Sequence, residues 1–255
     1  MDGFVITHRL DLAVHLLDTT TGRPVPCNAV RFSRNGDTLR PLEKERGLGI
    51  FPGLGRYDFT LRLDSHSYED WEIPVSYETL DEKMPLLEVQ LIPISDSHTP
   101  VPCLGIEGVL PGISGLTAVR VGDSACFIRG FEPPKKQLTL FNPHHLDLER
   151  THYALVNPNT EAYERFQISR ILDDGSIEID RILEMEFENN FPIAPVVFGK
   201  TRADGSYLLR VRDFATAARW LVSYRWREQT YFQTVDLRLE HTLTPPQSPQ
   251  IQQRE

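Results

Sequence analysis

His144, His145 and His152, set around the acidic stretch LDLER, are the residues best suited by type to hold a metal ion, because neutral imidazole is a common zinc ligand and carboxylates lie beside it. Their spacing matches no standard zinc pattern, and adjacent histidines on an irregular segment point in different directions. Loop or surface histidines are the simpler reading. Asp173, Asp174 and Asp180 suggest calcium, yet the D-x-D-x-D-G loop with its terminal Glu is absent and Asp174-Gly175 is already explained as a hairpin turn. Glu184, Glu186 and Glu188 alternate along EMEFEN and could pair for acid–base work, but an exposed strand face accounts for them with less. The chain has no G-x-S-x-G elbow, no P-loop and no G-x-G-x-x-G opening a helix. The expectation is a protein that is not an enzyme, with no catalytic, cofactor-binding or metal-binding residues.

One group of side chains suits recognition. Trp220, Tyr224, Trp226, Tyr231 and Phe232 are interleaved with Arg219, Arg225 and Arg227, a composition typical of a protein hot spot or a sugar-stacking platform. Alternation gives a competing account, since Trp220, Val222 and Tyr224 fall on one strand face and would share a core. Trp220, Tyr224, Trp226 and Tyr231 are therefore the candidate partner-binding residues, with part of the set expected inside. His8 and His15 read as sheet-face residues.

The elements that must position these residues are short strands. In GRYDFTLRL, the residues Tyr57, Phe59, Leu61 and Leu63 recur at every second position, which predicts one inward and one outward face. Asn35-Gly36, Asp174-Gly175 and Asp204-Gly205 predict hairpins, and Thr21-Gly22 a further turn. Helical periodicity is weak throughout. With 255 residues, 40% hydrophobic, 25% charged and 19 prolines, the chain can bury real cores while turning often. It reads as a domain over 1–93, a proline-rich linker over 94–104, a small β domain over 105–190, and strands over 191–243 that form a second sandwich or pack with 105–190. A polar, proline-rich tail over 244–255 is expected to be disordered. The net charge of −9 argues against nucleic acid. Neither an ordinary signal peptide nor a run of about 18 apolar residues is present, so no membrane insertion and a cytoplasmic location are expected. Cys27, Cys103 and Cys126, far apart and outside any C-x-x-C pair, fit reduced structural thiols.

The stretches 1–93 and 191–243 share a pattern: a Gly turn, an aromatic–aliphatic alternation, then a strand bearing Trp and Tyr. Asp18, Thr21, Gly22, Pro24 and Val25, followed by Gly55, Tyr57, Phe59 and Leu61, resemble the D-x-x-T-G-x-P-V opening and the G-x-Y strand of the prealbumin-like, or carboxypeptidase-regulatory-like, β-sandwich over about 9–93. Asp204 to Val211 is a weaker echo over about 191–243. The resemblance implies an all-β fold: a prealbumin-like (Ig-like) β-sandwich followed by a further β-barrel or β-sandwich. It also implies the roles usual for such modules, as spacers and assembly elements. The expected function is a structural or adaptor protein holding other proteins in a larger assembly, for example a phage-tail-like or contractile particle. A carbohydrate- or peptide-binding module and a hydrolase with an inter-domain site are the alternatives.

Overall fold

The computed structural model describes residues 10–94, 103–122, 126–142, 148, 152–186, 188, 190–212, 219–239 and 241–244, without the side chains of 103 and 212. The chain is nearly all β and divides into two compact units, Met1–Pro102 and Cys103–Glu255. Residues 103–122 and 191–239 belong to the same unit.

Unit 1 contains β1 (Leu10–Asp18), β2 (Arg31–Arg34), β3 (Asp37–Leu39), β4 (Leu42–Glu45), β5 (Leu48–Pro52), β6 (Phe59–Asp64), β7 (Trp71–Val75) and β8 (Leu86–Leu91). They form two four-stranded sheets, β4-β5-β1-β8 and β3-β2-β6-β7. Leu12, Val14 and Leu16 of β1 meet Phe32, Leu61 and Leu63 of the other sheet in one apolar cluster, with Phe32 edge-on to Phe51 at 5.1 Å. β1 pairs antiparallel with β5 and parallel with β8, from Ala13 opposite Leu86 to Asp18 opposite Leu91. Leu61 and Leu63 point inward as their spacing predicts, but Tyr57 is 52% exposed. Gly55, at φ +71°, bends the chain ahead of β6, and the Tyr57 ring lies against Arg34 instead of the core.

The turn after β1 shows why DTTTGRPV has its composition. Asp18 Oδ1 accepts from Thr20 N (2.8 Å), Thr20 Oγ1 (2.6 Å) and Thr21 N (2.9 Å), while its Oδ2 accepts from Tyr68 Oη at 3.2 Å. Gly22 then takes φ +68°, and Val25 N returns to Leu16 O at 2.9 Å. Gly47 sits under this turn at φ +82°, where a Cβ would lie 2.9 Å from both Leu16 O and Pro24 Cβ.

Unit 2 contains β9 (Cys103–Val109), β10 (Ser114–Arg120), β11 (Cys126–Glu132), β12 (Gln137–Phe141), β13 (His152–Asn157), β14 (Ala162–Ile171), β15 (Ile177–Ile179), β16 (Pro192–Phe198), β17 (Lys200–Thr201), β18 (Ser206–Arg212), β19 (Arg219–Trp226) and β20 (Gln229–Asp236). Six strands close on themselves in the order β11-β12-β15-β14-β13-β16, with β16 pairing back to β11. Tyr153, Leu155, Phe166, Ile177 and Ile193 fill this barrel. The sheet continues from β16 through β10, β19 and β20, and its other section faces the small sheet β17-β18-β9 across Leu116, Val222, Tyr224, Leu209 and Val211. Ala154, Val156 and Tyr163 of the barrel wall pack against Val119 and Leu221, so β13 and β19 are buried on both faces.

The pattern shared by 1–93 and 191–243 does not extend to pairing. β6 and β7 are neighbours in one sheet, whereas β18 and β19 lie in different sheets. Glu184, Met185, Glu186 and Glu188 also lie in no strand: Glu164 takes the backbone N–H groups of Glu184 (2.9 Å) and Met185 (2.7 Å) that a neighbouring strand would have paired.

Gly47→Ala should destabilise unit 1 by at least about 2 kcal/mol in urea denaturation, from positive φ and the crowding at Leu16 and Pro24 together; an unchanged midpoint contradicts this account of the turn. Tyr163, buried and sharing a 2.7 Å hydrogen bond with Thr117, has its phenol pushed up from 10.0 to about 12 by burial. The raised value means the neutral phenol contributes its full stability below pH 10 and loses it as pH rises toward about 12, a window worth roughly 3 kcal/mol. Tyr163→Phe should flatten that alkaline loss in denaturation midpoints compared at pH 8 and pH 11.

Candidate partner-binding site

β19 and β20 pair antiparallel from Arg219 opposite Asp236 to Trp226 opposite Gln229, leaving a turn of two residues, Arg227 and Glu228. Both take positive φ, +49° and +65°. A two-residue turn of this kind needs left-handed backbone at both positions and ordinarily recruits Asn-Gly. The same chain does so between β2 and β3, where Asn35 and Gly36 lie at +52° and +89°. Arg-Glu in that role carries a conformational penalty on the order of 1–2 kcal/mol per residue.

The hairpin divides the aromatic group. Trp220 and Tyr224, 6% and 2% exposed, are core residues of the sandwich. Trp226 and Tyr231 are partly buried at the margin of that core, where the Tyr231 ring stacks on Tyr224 at 5.8 Å and lies 6.0 Å from Trp226. Trp226 Nε1 donates to Pro111 O at 3.0 Å, which fixes the indole against the β9–β10 connection. The Arg227 guanidinium lies over the Trp226 ring at 4.2 Å. Arg225 and Arg227 have no carboxylate partner among the described residues, unlike Arg219, which lies 3.8 Å from Glu161. Phe232, on the opposite sheet face, is 37% exposed and edge-on to Tyr163. Among the described residues β20 has no strand on its outer side.

The other sequence candidates fall elsewhere. His144 and His145 lie outside the described residues. His152 opens β13, its Nε2 3.1 Å from Gln167 Nε2 and its ring edge-on to Phe198. No group of three or more His, Cys, Asp or Glu side chains among the described residues is placed to hold a metal ion. Asp174 caps its turn by accepting from Ser176 N and Oγ, which hold its carboxyl below the usual range. Cys27 and Cys126 are free and buried, and burial pushes both thiols up to about 11, leaving them protonated and poorly nucleophilic.

Two polar features of unit 1 were not legible in the sequence. Arg31, Ser33, Thr60, Arg62, Asp64 and Glu72 line a shallow concavity of about 560 Å³ on the outer face of β2, β6 and β7. Arg62 pairs there with Asp64 (2.7 Å) and Glu72 (3.6 Å), so the charges largely satisfy one another at an exposed face. At the end of the unit where β1 begins, buried Asp11 accepts from Gly55 N at 3.3 Å, Arg56 donates to Leu10 O, and Arg34 donates to Leu54 O beneath Tyr57. These groups come from three separate segments, so no local pattern announces them.

No helix among the described residues is long and apolar enough to cross a membrane. No family model, curated protein or solved structure significantly matches the chain.

Replacing Arg227-Glu228 by Asn-Gly should stabilise unit 2 by roughly 1–2 kcal/mol, seen as a higher urea midpoint at unchanged slope. A lower midpoint would mean that the native pair makes compensating contacts.

Proposed function

We propose that the protein is a non-enzymatic structural or adaptor component whose β units hold other proteins in a larger assembly, in the cytoplasm or in a particle built there, such as a phage-tail-like or contractile one. The observation that carries this reading is the β19–β20 hairpin. A turn made for stability alone would repeat the Asn-Gly of β2–β3, whereas this one accepts left-handed Arg227 and Glu228 and sets a guanidinium on Trp226 beside Tyr231. Strain of that kind, aromatic and Arg side chains at a margin, and an edge strand without a neighbour among the described residues are the features of a docking surface.

Unit 1 supports the same reading. Its paired four-stranded sheets and the Asp18-capped turn agree with a prealbumin-like sandwich, and we assign it to that type, whose members mostly serve as spacers and assembly elements. A peptide-binding module is the second reading, favoured over a carbohydrate platform because Arg227 already covers a face of the Trp226 ring that a sugar would stack on.

Affinity purification of the tagged full chain from its native host, followed by mass spectrometry and negative-stain imaging, tests the proposal. A defined set of co-purifying proteins in regular particles is the expected result. A lone monomer, in the extract and after purification alike, overturns it.

A further inference from the structure

We infer that the β19–β20 hairpin of unit 2 is a docking site for an acidic, extended segment of a partner protein, which adds as a strand to β20 with its carboxylates at the Arg225–Arg227 end. The inference rests on the adaptor reading above and names the chemistry of what that surface takes.

The site has a firm base. Leu110 N donates to Gly205 O at 2.8 Å, and a Cβ on Gly205 would lie 2.7 Å from Pro111 Cα, so the β9–β10 connection and the β17–β18 hairpin are in close contact. Trp226 joins them through Pro111 O. Residues 243 and 244 close the same end, with Leu243 N donating to Tyr207 Oη at 2.8 Å and Thr244 N to Gln233 Oε1 at 3.2 Å. A docking residue on this base loses little freedom on binding, since its conformation is already held.

Charge selects the occupant. The two ends of β20 differ: at the Asp236 end Arg219 has Glu161 beside it, while at the Gln229 end Arg225 and Arg227 carry no carboxylate among the described residues. Guanidinium groups recognise carboxylates through paired parallel hydrogen bonds, and stacking on Trp226 holds the Arg227 plane in place for such a pair. A nucleic acid offers anions too, but two arginines on a chain of net charge −9 are a poor match for a continuous phosphate backbone. The strand half of the site is the outer side of β20, where Phe232, partly exposed and edge-on to Tyr163, lies on the sheet face away from Tyr231. Main-chain pairing along such an edge supplies affinity, and the side chains at its end supply selectivity.

The test is fluorescence anisotropy on the full chain with the fluorescein-labelled peptide EEDVTVTV, its uncharged analogue QQNVTVTV and an oligouridylate as probes. Saturable binding of the acidic peptide, weakening with salt and about tenfold stronger than binding of the analogue, is expected. The double variant Arg227→Asn/Glu228→Gly should bind it about tenfold more weakly while unfolding at a higher urea concentration, which separates recognition from folding. Absence of saturable binding, equal binding of the analogue, equal or tighter binding of the oligouridylate, or undiminished binding by the double variant would each overturn the inference. If the wild-type chain assembles in its host and the double variant recovers the same partners, the docking site fails and the adaptor reading stands; if the wild-type chain recovers none, the adaptor reading itself fails.

Discussion

A β-strand has two hydrogen-bonding edges, and β16 divides its two among three neighbours. Its start pairs with β11 through Pro192 and Ile193, its middle with β13 through Ile193 to Pro195, and its end with β10 through Val196 to Phe198. The first two pairings close the barrel, and the third joins it to the sandwich. Side chains along this strand serve three apolar clusters in turn: Ile193 in the barrel, Ala194 and Val196 between barrel and sheet, and Val197 in the sandwich. Pro195, which has no N–H to offer, falls between the β11 and β10 pairings, a position where a central strand most easily accommodates it. The β10–β19–β20 section, and so the hairpin at its far side, is anchored to the barrel through this strand.

The position of the hairpin also explains its division of labour. A strand pair at the margin of a sheet has residues that must fill the core and residues that cannot reach it. Trp220, Val222 and Tyr224 are of the first kind, and their burial holds β19 in register. Trp226 and Tyr231 lie where the facing sheet ends, so they are half covered by Pro111 and by each other. Large amphipathic rings suit this position, since each keeps an apolar body against the core while its polar atom finds a hydrogen bond, Trp226 Nε1 to Pro111 O and Tyr231 Oη to Gln229 Oε1.

What the sequence made legible was local. Leu61 and Leu63, Asn35-Gly36, Asp174-Gly175 and Asp204-Gly205 each announce a strand face or a turn within a few residues, and the structure forms them. A further barrel was one of the two expectations for the chain beyond unit 1, and a six-stranded one is present, but its closure was not legible, because it pairs Cys126 with Ile193, far apart in the chain, and because burial on both faces erases alternation from β13 and β19. Tyr57 shows the reverse failure: its spacing puts it in the core series, but one bend at Gly55 removes it. At the candidate site, the types of Trp226 and Tyr231 were readable, while the left-handed backbone at Arg227 and Glu228 was not, since nothing in Arg-Glu signals such a turn.

The parallel pairing of β1 with β8 has a mechanical consequence. These are the first and last of the described strands of unit 1, side by side over six residue pairs and running the same way. Tension along the chain therefore pulls β1 from its start and β8 from its end, at opposite extremities of the shared ladder. The load falls in shear on all the rungs together, instead of peeling them one at a time as it would in a hairpin. The Asp18 turn lies at the end of that ladder and ties the end of β1 to Tyr68. A module wired in this way resists extension far better than its modest size suggests, a property useful in any body that must transmit force.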